Sequence, residues 1–172
     1  SFTHNRTGIY GTMFIAAIIS CAQVMKDKEE IIRTALKYVP QESRFFIRSK
    51  ICLDEILRAS DWEDGYKKIN NILNEYGHCR IYQEVGMMIN SFLFANNIYE
   101  GICIQVSQGA DTDSFGASVG SLLGSYYGPE GLDSKWLEIF NDDIHTGMAW
   151  FFERSVSKLA KRMGRLPVNF SK

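Results

Sequence analysis

Apolar residues recur at helical spacing along almost the whole chain. Residues 8–25 are apolar nearly all round, which predicts a central, buried helix. Asp27, followed three positions on by Glu30, has the form of a capping box and starts a second helix that Pro40 ends. Residues 43–59 form a third, more mixed segment. Tyr66, Ile69, Leu73 and Tyr76 recur at spacings of 3, 4 and 3, one face of a helix that Gly77 stops. Further helices are expected over 82–95, 98–106, 113–126 and 134–140. A last one is expected over 146–163, with Met148, Phe152, Val156, Leu159 and Met163 on one face. Residues 102–106 are β-branched enough for a strand but have no partner strands. The pattern therefore predicts an all-α fold, a compact orthogonal multi-helix domain spanning 1–172, with no internal linker or repeat.

Composition narrows the class. Apolar residues make up 45% of the 172, enough for a sizeable core. A net charge of −1 with 23% charged residues excludes a polybasic nucleic-acid binder and an acidic disordered tail. The longest apolar run, 13–19, is far short of the ~20 residues a bilayer span needs, so no membrane partner is expected. No basic segment followed by an apolar one opens the chain, and its start at Ser1 reads as cut from something longer. Cys21, Cys52, Cys79 and Cys103 are widely spaced without a C-x-x-C pair, which argues against zinc and for reduced structural thiols in a cytoplasmic protein. His78 in a loop, His145 beside Asp142 and Asp143, and the helix-packing Trp62, Trp136 and Trp150 all have ordinary structural readings. So does Asn141-Asp142-Asp143, as a helix cap.

Chemistry concentrates where glycine does. Seven of the 14 glycines lie within 101–131, and Gly116, Gly120 and Gly124 are four apart, a nearly bare helical stripe. Each interior glycine costs roughly 1 kcal/mol against alanine, so the stripe implies close approach of a helix or a ligand. Just before it stand Asp111, Asp113 and Ser114, two carboxylates and a hydroxyl suited to Mg²⁺ or Ca²⁺. The same residues also make an ordinary helix N-terminus, where the dipole disfavours a cation. An EF-hand fails, because its fifth and twelfth positions would be Phe115 and Leu122. A P-loop lacks its Gly-Lys-Ser/Thr ending, and a dinucleotide fingerprint lacks its preceding strand.

Segment 109–128, Gly-Ala-Asp-Thr-Asp-Ser-Phe-Gly-Ala-Ser-Val-Gly-Ser-Leu-Leu-Gly-Ser-Tyr-Tyr-Gly, closely resembles the C-terminal signature of the ADP-ribosylglycohydrolase family. Thr3-His4 before an apolar helix, Val39-Pro40 with Ser43-Arg44, and the run from Gly131 through Trp136 and Asp143-Ile-His-Thr146 to Arg165 extend the resemblance. It implies an all-α fold around a cleft with two Mg²⁺ ions, Mn²⁺ being an alternative. It implies hydrolysis of the C1″ glycosidic bond of ADP-ribose in an ADP-ribosylated substrate. By position, Asp111, Asp113 and Ser114 would ligate metal. His4, Gly109, Ala110 and Gly116 would contact the substrate, and Tyr126 and Tyr127 either line the pocket or pack in the core. The family's N-terminal Gly-Asp segment with its catalytic Glu, and its Thr-Asp-Asp motif, do not occur here. The resemblance thus implies a C-terminal half whose catalytic acid lies elsewhere, with a separate N-terminal half chain as a candidate partner. Two other readings stay open: a non-catalytic ADP-ribose-binding or crystallin-like protein, and a helical interaction module whose glycine stripe serves packing alone.

Overall fold

The computed structural model describes residues 4–148 and 150–165. These residues form nine α-helices and one short 3₁₀ turn, and no sheet. The chain divides into two units, 1–132 and 133–172.

The first unit holds α1 (Thr7–Ala22), α2 (Lys28–Leu36), α3 (Arg44–Ile56), α4 (Trp62–Leu73), α5 (Ile81–Phe94), α6 (Ile98–Ser107) and α7 (Thr112–Tyr127). Several starts are set by side chains. Asp27 accepts from the Glu30 amide, Ser43 from Phe46, Asp61 from Asp64 and Asn97 from Glu100, each satisfying a backbone donor that the first turn leaves unpaired.

The central helix is α5 and not α1. Residues 85–92 of α5 are buried without a break, and α5 packs on α1, α2, α3, α4, α6 and α7. By contrast, α1 buries Gly11, Phe14, Ile18 and Ala22 but exposes Met13, Ala16 and Ser20. The sequence misleads here because α5 carries Asn90 and Ser91, which read as surface residues. Both are fully buried; the Asn90 amide nitrogen and the Ser91 hydroxyl find partners, while Asn90 Oδ1 has none. Asn90 Nδ2 donates to the Trp62 carbonyl at 2.8 Å and to Gln108 Oε1 at 3.0 Å. Gln108 Nε2 donates to Ser91 Oγ at 2.8 Å, and Ser91 Oγ lies 2.9 Å from Gln105 Oε1. Gly65 on α4 leaves room for this ladder, since any Cβ there would strike Asn90 Oδ1.

A second anchor lies at the far end of α7. Lys28 Nζ sits 5.5–5.6 Å from the ring centres of Phe92, Tyr126 and Tyr127, and donates to the Ala95 carbonyl. Tyr127 Oη donates to the same carbonyl at 2.8 Å, and Tyr126 Oη to the Lys26 carbonyl at 2.6 Å. Burial lowers the Lys28 pKa, with Glu100 opposing. The two tyrosines are thus core-packing residues.

The glycine stripe is not where helices touch most closely. Gly116 and Gly120 face α6, but a methyl there would sit at ordinary contact distance, 3.7 Å from Val106 and 3.8 Å from Ile102. Gly124 faces open space within 4 Å. The close approach of α6 to α7 is made instead at Gly101, where a Cβ would run into Leu123.

In the second unit, α8 (Ser134–Phe140) forms as expected, but the last helix, α9, covers only Val156–Met163. The first half of the expected helix is taken by other bonds. Arg154 pairs with Asp143, the Ile144 amide donates to the Arg154 carbonyl at 2.8 Å, and Asp143 bridges to Ser155. These closures hold 144–148 and 150–154 out of helix, so Met148 and Phe152 are exposed, as is Trp150, which was expected to pack. Asp142 does cap, accepting from the Ser157 amide of α9 at 2.7 Å. His145 lies in this exposed loop beside Asp143 and Arg154. The four cysteines are free thiols; Cys52 is buried, and burial pushes its pKa up to about 12. Among the described residues no helix is long and apolar enough to cross a membrane.

Substitutions separate the two kinds of glycine. Gly120→Ala is expected to stabilise the fold by about 0.5–1 kcal/mol. Gly101→Ala is expected to cost about 1–3 kcal/mol through overpacking. Urea unfolding midpoints of the two variants check both signs.

Candidate functional site

The residues singled out on α7 share one loop-to-helix junction. Helix α6 ends at Gln108, whose side chain is 2% exposed and tied to α5. The next two residues turn the chain in the left-handed region, Gly109 at φ +77° and Ala110 at φ +60°. For alanine this conformation costs about 1 kcal/mol or more. The turn delivers Asp111 as the residue before α7, with Asp113 in the first turn.

Asp111 does not cap the helix. Its side chain accepts no backbone hydrogen bond of the first turn. The Asp113 pKa is lowered, chiefly through its interaction with the Asp111 side chain and then through the backbone amides of Ser114 and of Asp113 itself. The two carboxyl groups are thus near enough to interact. Asp113 and Ser114 are exposed and Asp111 is half-buried. Two carboxylates and a hydroxyl are the hard oxygen donors Mg²⁺ takes, but they are fewer than an octahedral ion uses. Among the described residues no group of three or more His, Cys, Asp or Glu side chains is arranged to hold a metal.

A cavity of about 910 Å³ opens in the same unit, within the range of small-molecule sites. Its wall includes His4, Tyr76, Cys79, Arg80, Glu84 and Ser118. Tyr76 and Tyr82 stack beside it, ring centres 4.0 Å apart and 15° from parallel. His4, near the start of α1, stands on the cavity wall. Thr3 lies outside the described residues. Asp111, Asp113, Ser114, Gly109, Ala110 and Gly116 are not among the residues lining this cavity. The junction and the cavity are joined through α7, where Ser118 stands one turn beyond Ser114.

Glu84 is the residue that sequence reasoning passed over. It projects from α5 and accepts a hydrogen bond from Ser118 Oγ at 2.7 Å. Burial raises its pKa, the Ser118 bond opposes that, and the negative charge of Asp111 adds to it. Glu84 thus sits within electrostatic reach of the Asp111 junction while forming part of the cavity wall. No motif announces it, because its partner is 34 residues away.

The family model described as ADP-ribosylglycohydrolase matches residues 1–165 of the 172. No curated protein and no solved structure matches the chain.

Two outcomes are expected from this geometry. Ala110→Gly relieves the left-handed strain and is expected to stabilise the fold by about 1 kcal/mol in chemical denaturation. Glu84 has a folded-state pKa raised above its ordinary 4.5, so its contribution is fully present below pH 4.5 and is lost as pH rises through the folded value. Glu84→Gln should therefore unfold at a higher temperature than the parent at pH 7. The difference should shrink towards pH 4, as followed by thermal melts across pH.

Proposed function

The chain belongs to the ADP-ribosylglycohydrolase family, a family of hydrolases, and from that premise we propose that it forms the C-terminal side of an ADP-ribose site. The reaction of that site is hydrolysis of the C1″ glycosidic bond of an ADP-ribosylated substrate. The observation that carries this reading is the Asp111–Asp113 pair. A strained turn brings two carboxylates close together, Asp111 makes no capping bond of its own, and α7 links them to the wall of a large polar cavity.

Asp111, Asp113 and Ser114 would hold Mg²⁺, or Mn²⁺ in its place. The ion supplies Lewis-acid polarisation at the sugar and orients water. The chain's own residues do the rest. Gly109 and Ala110 let the backbone come close to the ligand, and Gly116 keeps the first turns of α7 bare. His4 and Arg80, which share the cavity wall, are donors suited to phosphate oxygens. The stacked Tyr76–Tyr82 pair offers an aromatic surface beside them.

A second reading is binding of ADP-ribose without catalysis. It is favoured by the sparse ligand set, since two carboxylates and one hydroxyl leave an octahedral ion mostly hydrated.

Titration calorimetry with ADP-ribose in Mg²⁺ tests the site. Cys79, exposed on the cavity wall, gives an independent readout by its rate of alkylation. The expected result is Mg²⁺-dependent binding that shields Cys79 and is weakened about tenfold or more in Asp113→Asn. Flat heats with unchanged alkylation would overturn the assignment. Release of ADP-ribose from an ADP-ribosylated protein by the Mg²⁺-loaded chain separates the first reading from the second.

A further inference from the structure

Glu84 is half-buried on the wall of the cavity, and no ion pair reaches it among the described residues. A desolvated carboxylate is stable only if donors satisfy its lone pairs. Ser118 supplies one, to Oε1, leaving Oε2 with capacity for a ligand.

The choice of ligand group follows from chemistry. ADP-ribose is anionic, and its diphosphate is repelled by a carboxylate. The groups it can offer such an acceptor are the ribose hydroxyls and the adenine amine. A vicinal diol presents two O–H donors on adjacent carbons, which a carboxylate accepts side by side, as acidic residues do for the ribose of dinucleotides. The adenine amine offers no such pair. Glu84 is also bonded to Ser118, which stands one helical turn along α7 from Ser114 and so on the α7 side of the wall. That is the side on which the reacting sugar would stand, while Arg80 and His4, which share the wall, suit the phosphates.

We propose that Glu84, oriented by Ser118, accepts the hydroxyl pair of the terminal ribose and so selects ADP-ribose over nucleotides that lack that sugar. This rests on the reading of the cavity as an ADP-ribose site. It adds a specificity-determining residue that neither the loop motif nor the glycine stripe contains.

Calorimetry of parent and Glu84→Gln with two ligands, ADP-ribose and ADP, each in Mg²⁺, tests it. Glutamine keeps an acceptor for Ser118 and removes the charge from the half-buried position, so the variant is expected to fold. The expected result is a loss of about tenfold or more in ADP-ribose affinity with ADP affinity unchanged. Ser118→Ala should show a smaller loss of the same selectivity. Equal losses for both ligands would overturn the assignment to the terminal sugar. Unchanged ADP-ribose affinity in Glu84→Gln, with the parent binding, would overturn this inference and leave the proposed function standing. A parent that binds neither ligand would remove both.

Discussion

The carboxamide of Gln108 is the constraint on which the site depends. It is buried at the last residue before the chain turns, and it is held from three sides. Asn90 donates to its oxygen, while its nitrogen donates to Ser91 Oγ at 2.8 Å and to the Met87 carbonyl at 3.3 Å. These bonds fix the end of α6 against the central helix. Two left-handed residues follow at once, and the second is an alanine that would relax if it could. A buried polar group that loses its partners costs about 1–3 kcal/mol, comparable to the strain it restrains. The position of Asp111 is thus set in the core, three residues upstream, and not by the acidic cluster itself.

The sequence and the structure agree best where a local interaction decides the outcome. The second helix could be placed because Asp27 caps it, accepting from the Glu30 amide. The junction at Asp111 stood out through residue type alone. Disagreement falls where distant partners decide. Hydrophobicity marked α1 as central, yet α5 holds that place, its Asn90 and Ser91 hydrogen-bonded across helices to Gln108 and Gln105. The helical period over 146–163 was real, but pairing of Asp143 with Arg154 breaks it, and no periodicity contains that pair. Glu84 belongs to the same class, since its role exists only once α5 and α7 are side by side.

The glycine stripe shows how a striking pattern can be ambiguous. Its spacing suggested a groove for a close helix. The packing assigns that work to Gly101 and leaves Gly116, Gly120 and Gly124 with room to spare. Gly116 and Gly120 lie against α6 with space for a methyl, and only Gly124 of the three looks onto open space.

The Lys28 cage has a kinetic meaning. Its ammonium group is bound to a carbonyl 67 residues away, and the Tyr126 hydroxyl reaches one 100 residues away. Contacts of such span must wait for the intervening chain to order, because closure entropy is spent before they form. Closing the cage therefore carries a larger entropic cost than any local helix contact. Its engagement would mark the moment at which the amino-terminal and carboxyl-terminal stretches of the first unit commit to one another.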